Sequence, residues 1–299
     1  MKYHGAIEAG GTKFICLIAN SPEHILAECR IQTTQPEDTL LLVRDFFSSK
    51  RDELKIDLES IGLGCFGPLD LNQDSNHYGS ITSTPKPGWQ GINIPEYLSG
   101  LLNIPVFIET DVNAAALGEK TWGNGVGLRD LVYLTIGTGI GGSAIVDGKP
   151  LHGMLHTEMG HIFLKHDLNL DPFRGICPFH HDCFEGLASG PAIEERWGKP
   201  GKELPSNHPA WNLETNYIAQ ALQSVVLLLS PNCIILGGGV MQQKHLFPKI
   251  RSELSRLLNG YIQTKELLSG LETYIVPPKL GQRAGVLGAL SLAISKSKM

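Results

Sequence analysis

The chain opens on an apolar run that stops at two adjacent glycines, Gly10 and Gly11. It passes through Thr12 and Lys13 and resumes at once as Phe14-Ile15-Cys16-Leu17-Ile18-Ala19. Two apolar runs joined by a glycine turn read as a tight β-hairpin. Glycines without Cβ let backbone N–H groups approach a ligand, and Thr12 and Lys13 add a hydroxyl and a cation. That chemistry suits a phosphate. A structural hairpin needs only one or two turn glycines, so the reading draws its weight from the rest of the chain.

A second glycine turn, Gly137-Thr138-Gly139-Ile140-Gly141-Gly142, separates the apolar segments Leu131–Ile136 and Ser143–Val146. It opens the second half of the chain as the first turn opens the first half, a duplication of architecture rather than of sequence identity. The turn contains the G-x-G-x-x-G spacing of a dinucleotide fingerprint, and Glu158 follows about twenty residues on, as that fingerprint asks. The fingerprint must open a helix, however, and here a strand runs directly into the Asp147-Gly148 turn. A phosphate-holding hairpin fits better. No G-x-x-x-x-G-K-[ST] occurs, which removes the P-loop reading. Two such hairpins point to a nucleotide gripped between two domains.

At 299 residues and 42% hydrophobic, the chain is long enough for two ordinary cores. The composition shift at Trp122-Gly123-Asn124-Gly125 places a boundary there. One α/β domain is expected over 1–121, with a helix within 285–299 returning to pack on it. A second α/β domain is expected over 122–284. The net charge of −5 argues against nucleic acid or an anionic membrane as partner. No apolar run approaches the length of a membrane span. The N-terminus lacks the pattern of a signal peptide, so a cytoplasmic location is expected. Six cysteines without export point to reduced thiols or a metal site.

Helical spacing covers Glu37–Phe47, and the mixed-sign run Lys50–Lys55 reads as a solvated helix face. Ile61–Phe66 reads as a buried strand. Residues 67–91, rich in Gly, Pro, Ser and Asn, form a loop of a length that is usually functional. Val106–Glu109 is a strand, and Asp111 stands where it gives way to a helix. There it is a helix N-cap, and the end of a strand is also where α/β proteins place catalytic groups. A carboxylate at that point can take the proton of an alcohol attacking a phosphoryl group. Residues 165–210 look irregular, Leu213–Leu229 and Leu246–Leu258 are helices, and the strand Cys233–Leu236 ends in Gly237-Gly238-Gly239.

Within the irregular stretch, Cys177 to Cys183 spells C-x2-H-x2-C, with His161 upstream. Two thiolates and two imidazoles are an ordinary tetrahedral zinc set, and a segment with so little apolar content has use for a structural metal. Spacing leaves both His180 and His181 open as the second imidazole. Glu158 and Glu185 flank the cluster and can accept hydrogen bonds from sugar hydroxyls.

Together these residues resemble the ROK family of sugar kinases over nearly the whole chain. The resemblance implies a two-domain α/β fold of the actin/hexokinase-like (ribonuclease H-like) class with an interdomain active-site cleft. Glu8-Ala9-Gly10-Gly11-Thr12-Lys13 resembles the family's first phosphate loop, Gly137 to Gly142 the second, and Gly237-Gly238-Gly239-Val240 the adenosine-side loop. Thr110-Asp111-Val112-Asn113 resembles the segment of the catalytic Asp. Glu158-Met159-Gly160-His161 resembles the family's E-x-G-H, whose Glu binds sugar and whose His binds zinc. Cys177 to Glu185 resembles its zinc segment, with Glu185 at a sugar-binding position.

Most members carry Asp where Glu8 stands and three cysteines where this chain has C-x2-H-x2-C. Both departures, with Ser83-Thr84-Pro85-Lys86-Pro87-Gly88-Trp89, resemble the bacterial fructokinase branch. Thr110 also departs from the Asn of glucose- and mannosamine-type members.

The resemblance thus implies an ATP-dependent fructokinase making fructose 6-phosphate. Its implied roles are Asp111 as base, Gly10, Gly11, Thr12, Lys13, Gly137, Thr138 and Gly139 on the ATP phosphates, and Gly237, Gly238 and Gly239 on the adenosine side of ATP. Glu8 stands near Mg²⁺, and His161, Cys177, His180 and Cys183 are the implied zinc ligands. Gly67, Pro87, Gly88, Asp111, Glu158, His161 and Glu185 are placed around the sugar. Pro85 and Pro87 stiffen their loop, and Trp89 offers a flat surface to close over the ring. A homodimer is the expected assembly.

A glucokinase or other hexose or N-acylhexosamine kinase of the family is the nearest rival. A sugar-responsive regulator is disfavoured, because the phosphate loop begins at residue 5 and leaves no room for a helix-turn-helix. An NAD-dependent oxidoreductase is disfavoured by the strand after Gly142.

Overall fold

The computed structural model describes residues 2–84 and 86–297. Pro85, one of the two prolines expected to stiffen the sugar loop, lies outside the described residues. The chain divides into two compact units: Met1–Val126, Pro150–His156 and Gln282–Met299 form one, Gly127–Lys149 and Thr157–Gly281 the other.

In the first unit, β1 (Tyr3–Ala9) and β2 (Lys13–Ser21) form the expected antiparallel hairpin, with Ala9 opposite Phe14. β3 (His24–Gln32) extends it antiparallel. Then come α1 (Pro36–Leu54), β4 (Leu58–Cys65), α2 (Ile94–Leu102), β5 (Val106–Thr110) and α3 (Asp111–Trp122). β4 runs parallel to β1, β5 runs parallel to β4, and the sheet order is β3-β2-β1-β4-β5. Residues alternate between sheet faces along a strand, and both faces of β4 are covered. A Cβ on Gly5, which sits opposite Ile61, would meet the Phe47 ring of α1. On the other face a Cβ on Gly62 would lie 1.9 Å from the Ala289 carbonyl of the C-terminal helix (Ala284–Lys296). That helix lies equally close to α3, where a Cβ on Gly288 would lie 1.6 Å from the Ala114 carbonyl. Only missing side chains permit such backbone contact. Ile7, Phe14, Val43, Phe47 and Leu63 fill the core.

The second unit repeats this plan. β6 (Leu131–Ile136) and β7 (Ile140–Val146) form a hairpin, and the two-residue β8 (Lys149–Pro150) lies at the sheet edge. α4 (Phe184–Ala188), α5 (Gly190–Trp197) and α6 (Ala210–Leu229) precede β9 (Ile234–Gly237), which runs parallel to β6. α7 (Leu246–Leu258), α8 (Lys265–Leu268), α9 (Leu271–Tyr274) and β10 (Ile275–Val276) complete it. The order β10-β9-β6-β7-β8 matches the first sheet strand for strand: β6 corresponds to β1, β7 to β2, β8 to β3, β9 to β4 and β10 to β5. Among the described residues, no helix is long and apolar enough to cross a membrane.

Candidate active site

The first glycine turn joins β1 to β2. Gly10 N–H donates to the Lys13 carbonyl at 3.0 Å, and Thr33 Oγ1 donates to the Gly10 carbonyl at 2.8 Å. Gly11, Thr12 and Lys13 are left exposed at the tip. Lys86 Nζ donates to the Gly11 carbonyl, so the 83–89 segment brings a second cation to this turn. Pro87 and Gly88 lie exposed in the turn that follows, Gly88 with a positive φ of 83°.

Asp111 is the first residue of α3, and its Oδ1 accepts a hydrogen bond from Val112 N–H at 2.9 Å. The N-cap expected of it belongs to Thr110, whose Oγ1 accepts from Asn113 N–H at 3.1 Å. A capping hydroxyl one residue earlier leaves the aspartate free of that duty. Glu8 on β1 feels the charge of Asp111. Burial first, then Asp111, pushes the Glu8 carboxyl up to about 7, while a Val286 backbone hydrogen bond and Lys13 pull the other way. Glu8 Oε2 is buried and has no hydrogen-bond partner among the described residues. Two neighbouring carboxylates, one with an idle buried oxygen, suit a hard divalent cation.

Sequence reasoning missed a polar cluster beside α3. Buried Glu109 accepts hydrogen bonds from Asn113 Nδ2 at 2.8 Å and His152 Nε2 at 3.1 Å. The hydrogen bond to Glu109 raises the His152 pKa. His156 lies in the same Pro150–His156 segment as His152, and a Cβ on Gly67 would sit 3.6 Å from its Nε2. No local pattern marks His152, because its partner is remote in sequence. The expectation for Trp89 fails. Its side chain is fully buried, its ring lies 5.5 Å from those of both Phe14 and Phe66, and Nε1 donates to the Thr34 carbonyl at 2.9 Å. A ring packed between two others has no face left for a sugar.

In the second unit the Gly137–Gly139 turn joins β6 to β7, with Gly137 N–H donating to the Gly139 carbonyl at 2.9 Å. Gly239, just past the end of β9, comes close: a Cβ on Gly137 would lie 3.6 Å from its N. Gly237 ends β9, and Gly238 takes a positive φ of 92° against the Ile136 backbone. Gly137, Thr138 and Gly239 line a cavity of about 400 Å³ with Ile193, Lys202 and Gln243. Two of the three predicted nucleotide loops thus meet at one concave pocket, the usual form of a cofactor site.

The expected metal ligands converge within the same unit. One donor atom from each of His161, Cys177, His180 and Cys183 lies within 4.8 Å of all the others. Cys177 Sγ is 3.8 Å from His161 Nδ1 and 3.6 Å from His180 Nδ1, and Cys183 Sγ is 3.6 Å from His161 Nδ1. A tetrahedral zinc with ordinary bond lengths sets S···N edges of about 3.6 Å, so the donor set fits. Burial foremost pushes the Cys183 thiol up to about 11, with Cys177 adding to it. A cation is what would favour both thiolates. His181 takes no part in this group; it closes a turn with Cys177 through its backbone and has a positive φ of 57°. Glu158 keeps part of its side chain in solvent, yet the burial of its carboxyl raises its pKa; His161 lowers it and Glu185 raises it further. Glu185 Oε2 accepts a hydrogen bond from Ile140 N–H at 2.8 Å. The stretch expected to be irregular contains α4 and α5, the first of them beginning directly after Cys183.

The ROK family profile matches residues 4–296. A fructokinase of Lactococcus lactis subsp. cremoris is 44% identical over 98% of this chain and 97% of its own. A fructokinase of Pediococcus pentosaceus is 43% identical over 97% and 96%. Among solved structures, the ROK hexokinase of Thermus thermophilus superposes with a TM-score of 0.81 at 27% identity, covering 99% of this chain and all of that one.

Proposed function

The chain belongs to the ROK family, with its two-domain actin/hexokinase-like fold, and we infer that it is an ATP-dependent fructokinase. The observation that carries the choice of sugar is the 44% identity to a fructokinase across nearly both full lengths. The C-x2-H-x2-C and the Ser83–Trp89 segment, which resemble the fructokinase branch, agree with it.

In this reading the 6-hydroxyl of D-fructose attacks the γ-phosphorus of ATP, the hydroxyl proton passes to Asp111, and ADP leaves. The position of Asp111 at the start of α3, freed from capping by Thr110, supports its role as base. Gly10, Gly11, Thr12 and Lys13 would hold phosphate in the first unit; Gly137, Thr138, Gly139 and Gly237–Gly239 would hold the nucleotide in the second. Mg²⁺ would neutralise phosphate charge, with Glu8 near it, as its unpartnered buried oxygen suggests.

Glu158, Glu185 and the Nε2 side of the His161 ring would take sugar hydroxyls, with Gly67, Pro87 and Gly88 beside the ring. Zinc would be held by His161, Cys177, His180 and Cys183. Four protein ligands leave no open position, so its role is structural. A cytoplasmic homodimer completes the proposal, and the exposure of Phe163 and Phe179, at 70% and 80%, supports an apolar face for a second copy.

Steady-state kinetics with ATP on fructose, glucose, mannose and N-acetylmannosamine test the reading. Fructose should give the highest kcat/KM, and a higher value for any other sugar would overturn it.

A further inference from the structure

The segment that carries the last zinc ligand also holds both ends of the second glycine turn. Cys183 precedes α4, and Phe184 N–H donates to the carbonyl of Ile162, the residue after His161, at 2.9 Å. Two residues past Cys183, Glu185 Oε2 accepts the Ile140 N–H at 2.8 Å, at the exit of the turn. Gly190, the first residue of α5 and two residues past the end of α4, donates its N–H to the Gly137 carbonyl at 2.7 Å, at the entry of the turn. The fit is tight: a Cβ on Gly139 would lie 2.8 Å from Glu185 Oε2, and one on Gly160 would lie 1.9 Å from the Ile140 carbonyl. So the residues on either side of the metal cluster both rest on Ile140.

We propose that Glu185 is a positioning residue for the nucleotide, through which the zinc cluster fixes the conformation of the Gly137–Gly139 turn. The inference rests on the nucleotide reading of that turn. A short glycine turn has many conformations, and a ligand that needs one of them binds more weakly by the fraction of time the turn spends elsewhere. Two hydrogen bonds, one to Glu185 in α4 and one from Gly190 at the start of α5, restrict it at both ends. α4, which carries Glu185 and leads into α5, has only five residues, too few to be stable alone, and the metal ligand Cys183 at its start would anchor it. Loss of the metal should therefore be felt as weaker nucleotide binding, even with no sugar present.

The experiment is calorimetric titration of a non-hydrolysable ATP analogue, without sugar, into zinc-loaded and chelated protein. It is run on wild type, Glu185→Ala and Glu185→Gln, with circular dichroism to follow folding. Chelation should weaken binding to wild type about tenfold, the size of one hydrogen bond to a charged group. Zinc-loaded Glu185→Ala should show a similar loss, and chelating it should add nothing. Glu185→Gln keeps an oxygen acceptor for Ile140 N–H and should stay within about threefold of wild type.

Unchanged affinity in folded, chelated wild type would overturn the proposal, as would losses that multiply in chelated Glu185→Ala. If chelation unfolds the chain, the zinc-loaded variants decide: equal affinity of Glu185→Ala and wild type overturns it. Fructose turnover by the zinc-loaded wild type is measured alongside. Its absence would count against the fructokinase reading while leaving the coupling to stand or fall on the titration.

Discussion

Asp111 and Trp89 belong to the same unit but should respond to substitution in opposite ways. Asp111 has one oxygen on its own helix backbone and a carboxylate neighbour in Glu8. Asp111→Asn keeps size and hydrogen bonding and removes basicity. Turnover should fall at least about a hundredfold, the usual scale of general-base catalysis, with the melting temperature close to wild type. Near-normal turnover in the purified variant would remove Asp111 from the mechanism. Trp89 is fully buried between Phe14 and Phe66, so Trp89→Ala should cost about 3–5 kcal/mol of stability by denaturant unfolding. The fructose KM of the fraction that folds should stay near wild type. A KM defect without a stability loss would restore the sugar-platform reading. The tryptophan was visible in the sequence as a flat apolar side chain beside prolines and glycine, but nothing local told which way it faces. Its partners Phe14 and Thr34 are remote in sequence.

At the scale of elements, the metal segment is the one whose fold depends least on apolar burial. Phe163 and Phe179 beside the cluster stay exposed, while Cys177 and Cys183 are buried. Metal analysis should find about one zinc per chain, and Cys183→Ala should lower the melting temperature. Zinc-free protein whose melting temperature ignores chelators would contradict this. The C-x2-H-x2-C spacing made the cluster legible, but not which histidine joins it; the positive φ at His181 turns that residue into the chain reversal and leaves the ligand position to His180. The hairpins were equally plain, because a glycine turn between apolar runs is a local signal. β3 carries a shorter signal, since Ala27, Cys29 and Ile31 alternate with Glu28, Arg30 and Gln32, the period of an edge strand. Thr110 as the cap of α3 was not legible, since the Asp111 that follows it ranks at least as high as an N-cap by residue type.

At the scale of the whole molecule, two sheets share one strand order, which two similar glycine turns hinted at and pairing across long sequence distances established. Buried ionisable groups are a molecule-wide cost that no motif reveals. Glu214 in α6 is buried with neither carboxylate oxygen hydrogen-bonded among the described residues. Burial holds its pKa well above the ordinary 4.5, with Arg196 opposing. The folded chain therefore keeps a proton there that the unfolded chain loses above that pH. Stability from this group is full below pH 4.5 and declines as pH rises toward the folded pKa. Glu214→Gln should flatten that decline, by up to about 1.4 kcal/mol per pH unit. Parallel pH–stability curves for variant and wild type would show the carboxyl to be ionised in the fold.

The central claim concerns the reaction as a whole, and a competition measures it most directly. An equimolar mixture of fructose, glucose and mannose, held well below saturation with ATP and Mg²⁺, is followed by phosphorus and carbon NMR. Fructose 6-phosphate should be the dominant product, with ADP formed in equal amount to sugar phosphate. Dominant glucose 6-phosphate or mannose 6-phosphate, or ADP released without a sugar phosphate, would contradict the account.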